Sequence, residues 1–146
     1  MPIEFYSVQD AYGCFSNFSA HPISLDGKRW PTTEHYFQAQ KFVGTDAAYA
    51  ERIREATSPM IAARLGRSRK HPLRRDWESV KDDVMRRAVL AKFETHADAR
   101  AVLLSTGEEP LIEKTTDDHY WGCGSTGTGK NRLGQILVEV RARLRG

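Results

Sequence analysis

Trp30-Pro-Thr-Thr-Glu34-His-Tyr-Phe-Gln38-Ala-Gln-Lys41 gathers a carboxylate, an amide and an amine into one short run. If the run is helical, Glu34, Gln38 and Lys41 stand at i, i+4 and i+7 and share a face. Phe15, Phe18, Trp30, Tyr36, Phe37 and Phe42 are at hand to wall a pocket for a flat base. A few polar groups among aromatics is what a specific small-molecule site needs. From spacing alone the stripe reads first as the solvent-facing edge of an ordinary helix.

A second run, Thr115-Thr-Asp117-Asp118-His-Tyr-Trp121-Gly122-Cys-Gly124, reads as a loop from its acids and glycines. Asp117 or Asp118 is a candidate second carboxylate, or else a turn former. Trp121 ahead of Gly122 either packs on the core or stacks on a ligand. The stretch Gly124-Ser-Thr-Gly127-Thr-Gly129-Lys130-Asn131 then imitates the G-x-x-x-x-G-K of a nucleotide-binding loop. Asn131 stands where the magnesium-holding Ser or Thr belongs, and only sixteen residues follow Lys130, so a nucleotide-hydrolysing P-loop is rejected. What survives is the expectation of exposed backbone N–H groups leading into a helix N-terminus, a favoured place for phosphate.

Other chemistries lack their residues. His21, His35, His71, His96 and His119 show neither H-E-x-x-H nor finger spacing, which predicts no metal site. Cys14 and Cys123 lack C-x-x-C spacing and read as free thiols, and no G-x-S-x-G elbow is present. Acid, amine, aromatic walls and phosphate cradle suit sugar-phosphate chemistry with positioned carboxylates better than acyl transfer or redox. No organic cofactor is implied.

These groups must be placed by a fold of modest size. At 146 residues the expectation is one domain, residues 1–146. No apolar run approaches the roughly 18 residues of a membrane span, and the start has no secretory pattern, which predicts a cytoplasmic protein without a membrane partner. A net charge of +3 is too small for a nucleic-acid coat. Locally, however, Arg64, Arg67, Arg69, Lys70, Arg74 and Arg75 fall in an acid-free run that is either a solvated face or an attractor of phosphate.

Strands are predicted over 3–8 and 22–30, the second bent at Asp26-Gly27, a tight-hairpin pair. Helices are predicted over about 31–42, 46–56, 59–65, 76–94, 97–105 and 132–144. Thr32 or Thr33 offers an N-cap, Ser58-Pro59 a cap plus first position, and Gly66 a C-terminal glycine. Residues 111–114 form a weak strand. The order describes a mainly helical α+β domain with a small antiparallel sheet near the N-terminus.

Phe15-Ser-Asn-Phe18, Trp30 through Phe42, Ala63-Arg-Leu-Gly-Arg67, Lys92-Phe93, Asp118-His-Tyr-Trp-Gly122 and Gly129-Lys-Asn-Arg-Leu-Gly134 together resemble the NADAR family, and within it the YbiA-like N-glycosidases. The resemblance spans residues 5 to 144. It implies the YbiA-like fold and hydrolysis of the bond between ribose 5-phosphate and the exocyclic amine of riboflavin-pathway pyrimidine intermediates. Glu34, Lys41 and Asp118 would be catalytic. Phe15, Asn17, Trp30, Gln38, Arg67, Trp121, Gly122, Lys130 and Asn131 would bind a small phosphorylated ribosylamine. The same family also implies two alternatives: removal of ADP-ribose from guanine in nucleic acid, with nucleic acid then a partner, or non-catalytic binding of ADP-ribose or NAD. The short segment between Trp121 and Lys130 favours a mononucleotide-sized ligand. Nothing in the sequence sets an oligomeric state.

Overall fold

The computed structural model describes residues 1–146. In chain order it contains β1 (Ile3–Phe5), a 3-10 turn (Gly13–Phe15), β2 (Ile23–Leu25), β3 (Lys28–Trp30), α1 (Thr33–Gln40), α2 (Ala47–Arg54), α3 (Pro59–Gly66), α4 (Trp77–Thr95), α5 (Ala97–Ser105), β4 (Leu111–Glu113) and α6 (Arg132–Arg145). This is a mainly helical α+β fold with two two-stranded sheets. No helix is long and apolar enough to cross a membrane. The elements gather into two compact units, Ala20–Lys92 and Met1–Ser19 with Phe93–Gly146.

In the 20–92 unit, β2 and β3 form the expected antiparallel hairpin, pairing Ile23 with Trp30 and Leu25 with Lys28. Asp26 and Gly27 both have positive φ, 56° and 77°, which the tight turn demands and few residues other than Asn, Asp and Gly accept. The Asp26 carboxylate then accepts from Tyr36 Oη at 2.8 Å and from Arg87 Nη2 at 2.7 Å, so the turn anchors two helices. Helix α1 starts where Thr32 Oγ1 accepts the His35 N–H, α2 where Asp46 accepts that of Tyr49, and α3 where Ser58 accepts that of Ile61. α1 packs on α2, α3 and β3.

The other unit holds β1, α5, β4 and α6 around Phe5, Phe15, Phe93, Leu103, Leu111, Leu133, Ile136 and Leu137, all nearly inaccessible to solvent. β1 does not join the hairpin; it pairs in parallel with β4, Ile3 beside Leu111 and Phe5 beside Glu113. Parallel strands require a long crossover, so their pairing leaves no local pattern to read.

Candidate active site

α1 carries the polar stripe, yet its residues are buried on every side of the helix. Glu34 is 8 % exposed, Gln38 6 % and Lys41 9 %, so the three groups do not lie on a solvent-facing edge. His35 explains part of this. Its Nε2 meets the carbonyl of Ala56 at 3.0 Å, an acceptor only, which fixes the proton there and leaves Nδ1 to accept from Thr32 Oγ1 at 2.8 Å. Burial lowers its pKa, so His35 is a neutral clamp between the helix start and the end of α2. Tyr36 and Phe37 turn to aromatic partners, Trp30 at 5.1 Å and Trp77 at 5.2 Å between ring centroids.

Gly66, the last residue of α3, meets the stripe twice. Gln38 Nε2 donates to Glu34 Oε2 at 2.7 Å, while its Oε1 is buried without a hydrogen-bond partner and lies where a side chain on Gly66 would stand. The Gly66 carbonyl in turn accepts from Lys41 Nζ at 3.3 Å. Gly66 is therefore a close-approach glycine rather than the left-handed cap that its position in the sequence suggested. Its smallness was the only available signal, and a C-cap was the commoner meaning of it.

Burial pulls the Lys41 pKa down to about 8; Glu34 pushes it back up, and Arg69, Arg67 and Lys81 lower it further. The two opposing influences, burial and the Glu34 charge, were foreseeable from residue types, but which one wins depends on depth, and burial wins. The ammonium also lies 5.7 Å from the centre of the Phe37 ring. A neutral amine is thus accessible near neutral pH, beside a carboxylate held in place by an amide.

The remaining predicted residues of the 20–92 unit divide. Trp30 is 4 % exposed, its indole N–H donates to the Leu25 carbonyl at 3.0 Å, and it is packed into the hairpin and α1. Arg67 caps α3 with an exposed side chain, near enough for its charge to act on Lys41. An open depression of about 490 Å³ between α2 and α3, bordered by Ala48, Glu51, Arg52, Glu55, Ile61 and Leu65, includes none of the predicted residues.

In the other unit Phe15 is 1 % exposed and stacked among Phe5, Tyr12 and Phe93 as a core side chain. Asn17 is buried. Asp118 Oδ1 accepts the N–H groups of Tyr120 at 2.9 Å and Trp121 at 2.8 Å, the turn-forming use of an acid. Trp121 is half-buried with its ring edge-on to Tyr120, and Gly122 is buried. Asn131 has left-handed backbone, and its side chain is spent on β4: Oδ1 accepts from Glu113 N at 3.0 Å and Nδ2 donates to the Leu111 carbonyl at 2.8 Å. Lys130 is exposed, its ammonium 5.5 Å from the Tyr120 ring centre.

The expected phosphate cradle is occupied by the chain itself. The N–H groups of Gly129, Lys130, Asn131, Arg132 and Leu133 donate to the carbonyls of Cys123, His119, Gly122, Tyr120 and Trp121, at 2.8 to 3.1 Å. A glycine-rich composition predicted exposed donors. The 119–123 loop folds back to cap α6 instead, satisfying the donors that a helix start leaves open.

Comparison with known proteins agrees with this architecture. The NADAR domain family matches residues 4–145. The chain is 60% identical over 142 residues to N-glycosidase YbiA of Escherichia coli, covering 97% of this chain and 88% of that protein. It is 53% identical to an N-glycosidase of Nostoc punctiforme, covering 99% and 94%. It is 43% identical to a chloroplastic riboflavin biosynthesis protein of Zea mays, of which it spans only 25%. The NMR structure of E. coli YbiA superposes with a TM-score of 0.91 at 59% identity, covering 99% of this chain and 85% of that one. With residues 4–145 accounted for and the α+β arrangement shared, this chain belongs to the NADAR domain family.

Proposed function

We propose that this chain is an N-glycosidase that releases ribose 5-phosphate from the exocyclic amine of riboflavin-pathway pyrimidine intermediates. The observation that carries the reading is the buried pair of Glu34 in α1 and Lys41 at its C-cap, with the amine brought to about pKa 8. The names of the relatives, N-glycosidases and riboflavin biosynthesis proteins, support the same substrate class.

An exocyclic glycosidic nitrogen still carries a hydrogen, so its lone pair can expel the ring oxygen and leave an imine at C1′. The neutral Lys41 amine adds to C1′, a proton passes from it to the leaving nitrogen, and the aminopyrimidine departs. The protein is left as a Schiff base through Lys41. Water adds to C1′, Lys41 is expelled as its amine, and ribose 5-phosphate leaves with no net change in the enzyme. Glu34 accepts and returns the protons, its carboxylate oriented by Gln38. At pH 7 a pKa of about 8 leaves roughly a tenth of Lys41 neutral, against ~1 in 3,000 for an ordinary lysine.

The test is to incubate the protein with the ribosylamino-pyrimidine 5′-phosphate and, separately, with an ADP-ribosylated guanosine oligonucleotide. Release of ribose 5-phosphate from the first, with a sugar adduct on Lys41 trapped by borohydride, is the expected result. Turnover of the oligonucleotide alone would overturn the assignment.

A further inference from the structure

Arg69 is exposed, yet one end of its guanidinium is pinned. Its Nη1 donates to the carbonyls of Gly66 at 3.4 Å, Arg67 at 3.2 Å and Ser68 at 3.2 Å. These acceptors lie at and just beyond the C-terminus of α3, where a helix leaves carbonyls open and its dipole favours cations. All three bonds fall on a single nitrogen. The Nε–Nη2 edge, which can fork onto two oxygens of one anion, is left without a protein acceptor. Five other arginines are neutralised by acids: Arg54 by Glu51, Arg74 by Asp76, Arg86 by Asp83, Arg87 by Asp26 and Arg145 by Glu108.

The Gly66 carbonyl that holds Arg69 also holds Lys41 Nζ. Two cations thus meet on one neutral oxygen, no farther apart than the two bonds placed end to end. Glu34 faces Lys41, whereas the run from Arg64 to Arg75 supplies no acid to balance Arg69. Excess positive charge around a pinned, half-unused guanidinium is an arrangement that an oxyanion completes, and pinning removes much of the ordering cost of binding one.

We propose that the free edge of Arg69, with Arg67 two residues before it, binds the phosphate monoester of the substrate while Lys41 meets its C1′. This rests on the N-glycosidase reading above. In the ring-opened sugar the phosphate is joined to C1′ through C2′, C3′, C4′, C5′ and O5′, a flexible chain that lets it reach Arg69 while C1′ stands at Lys41, the two side chains being held on the same Gly66 carbonyl. Neither Arg69 nor this use of Gly66 follows from the spacing of residues in the sequence.

The experiment compares wild type, Arg69→Gln and Arg69→Lys on the 5′-phosphorylated substrate and its dephosphorylated counterpart, with binding of ribose 5-phosphate and inorganic phosphate followed by calorimetry. Arg69→Gln should reduce the preference for the phosphorylated substrate on the order of 10- to 100-fold, as loss of a charge-assisted bond does. Arg69→Lys, with charge but no fork, should fall between. Four charged groups act on Lys41: Glu34 of α1, Arg67 and Arg69 after α3, and Lys81 of α4. Removing the positive Arg69 should therefore move the pH limb governed by Lys41 to higher pH, which a purely structural arginine would not do. An unchanged substrate preference, or equal binding of ribose 5-phosphate by wild type and Arg69→Gln, overturns the proposal. If neither substrate is turned over the glycosidase reading fails, while ribose 5-phosphate binding lost in Arg69→Gln would still uphold the subsite. Inorganic phosphate bound as tightly as ribose 5-phosphate would reduce the site to a general anion hook and sink its role in substrate choice.

Discussion

Helix α1 and the 115–134 segment both carry the acids, amides and lysines expected of a site, but they use them in opposite ways. In α1 the backbone satisfies itself as helix, and the side chains are buried with chemistry left over: an amine held by one carbonyl, an amide oxygen without a partner. From 115 to 131 the backbone has no regular structure of its own, and the polar side chains there are consumed in building one. Asp118 closes a turn, Asn131 fastens the start of α6 to β4, and five successive N–H groups are capped by the preceding loop. A polar residue in a regular element is free for function once its backbone is paired, whereas one in a loop first serves the loop.

The sharpest break in this contrast is Lys41→Met. Turnover should fall by at least roughly 10⁴-fold, the scale of removing a nucleophile, and borohydride trapping should vanish. Stability should move the other way. The Lys41 pKa is 10.5 when free and about 8 in the fold, so between those values the unfolded chain binds more protons and stability rises with pH. Below about pH 8 the full cost of the buried charge is present, about 3 kcal/mol at most, and Lys41→Met relieves it. Thermal melts of both proteins at pH 7 and pH 10 check this: the variant should be the more stable at pH 7, and the gap should close toward pH 10. In the wild type, kcat/KM should climb through about pH 8; a plateau reached already near pH 5 would point to direct hydrolysis with a carboxylate base.

Glu34→Gln should lower kcat on the order of 10²- to 10⁴-fold with KM largely kept, as loss of a general base does. Unchanged turnover would take Glu34 out of the mechanism and leave α1 with an amine alone. For the other region the expected effect is on folding. Asn131→Ala strands the Leu111 carbonyl and the Glu113 N–H and should cost about 2 kcal/mol in denaturant unfolding. Asp118→Ala should cost about 1 kcal/mol, while Asp118→Asn, which keeps the accepting oxygen, should cost less. Should Asp118→Asn instead abolish turnover in a fully stable protein, the contrast between the two regions would fail at that residue.

Local signals in the sequence determined the helices, their caps and the Asp26-Gly27 turn, because each depends on residues within a few positions of one another. The face shared by Glu34, Gln38 and Lys41 follows in the same way from helical spacing. Tertiary structure alone decided the pairing of β1 with β4, the capping of α6 by the 119–123 loop, and the meeting of Gln38, Lys41 and Arg69 at Gly66. It also decided the contest over the Lys41 proton. Residue types name the opposing influences, but desolvation and Coulomb interaction depend on depth and distance, and those exist only once the chain has folded.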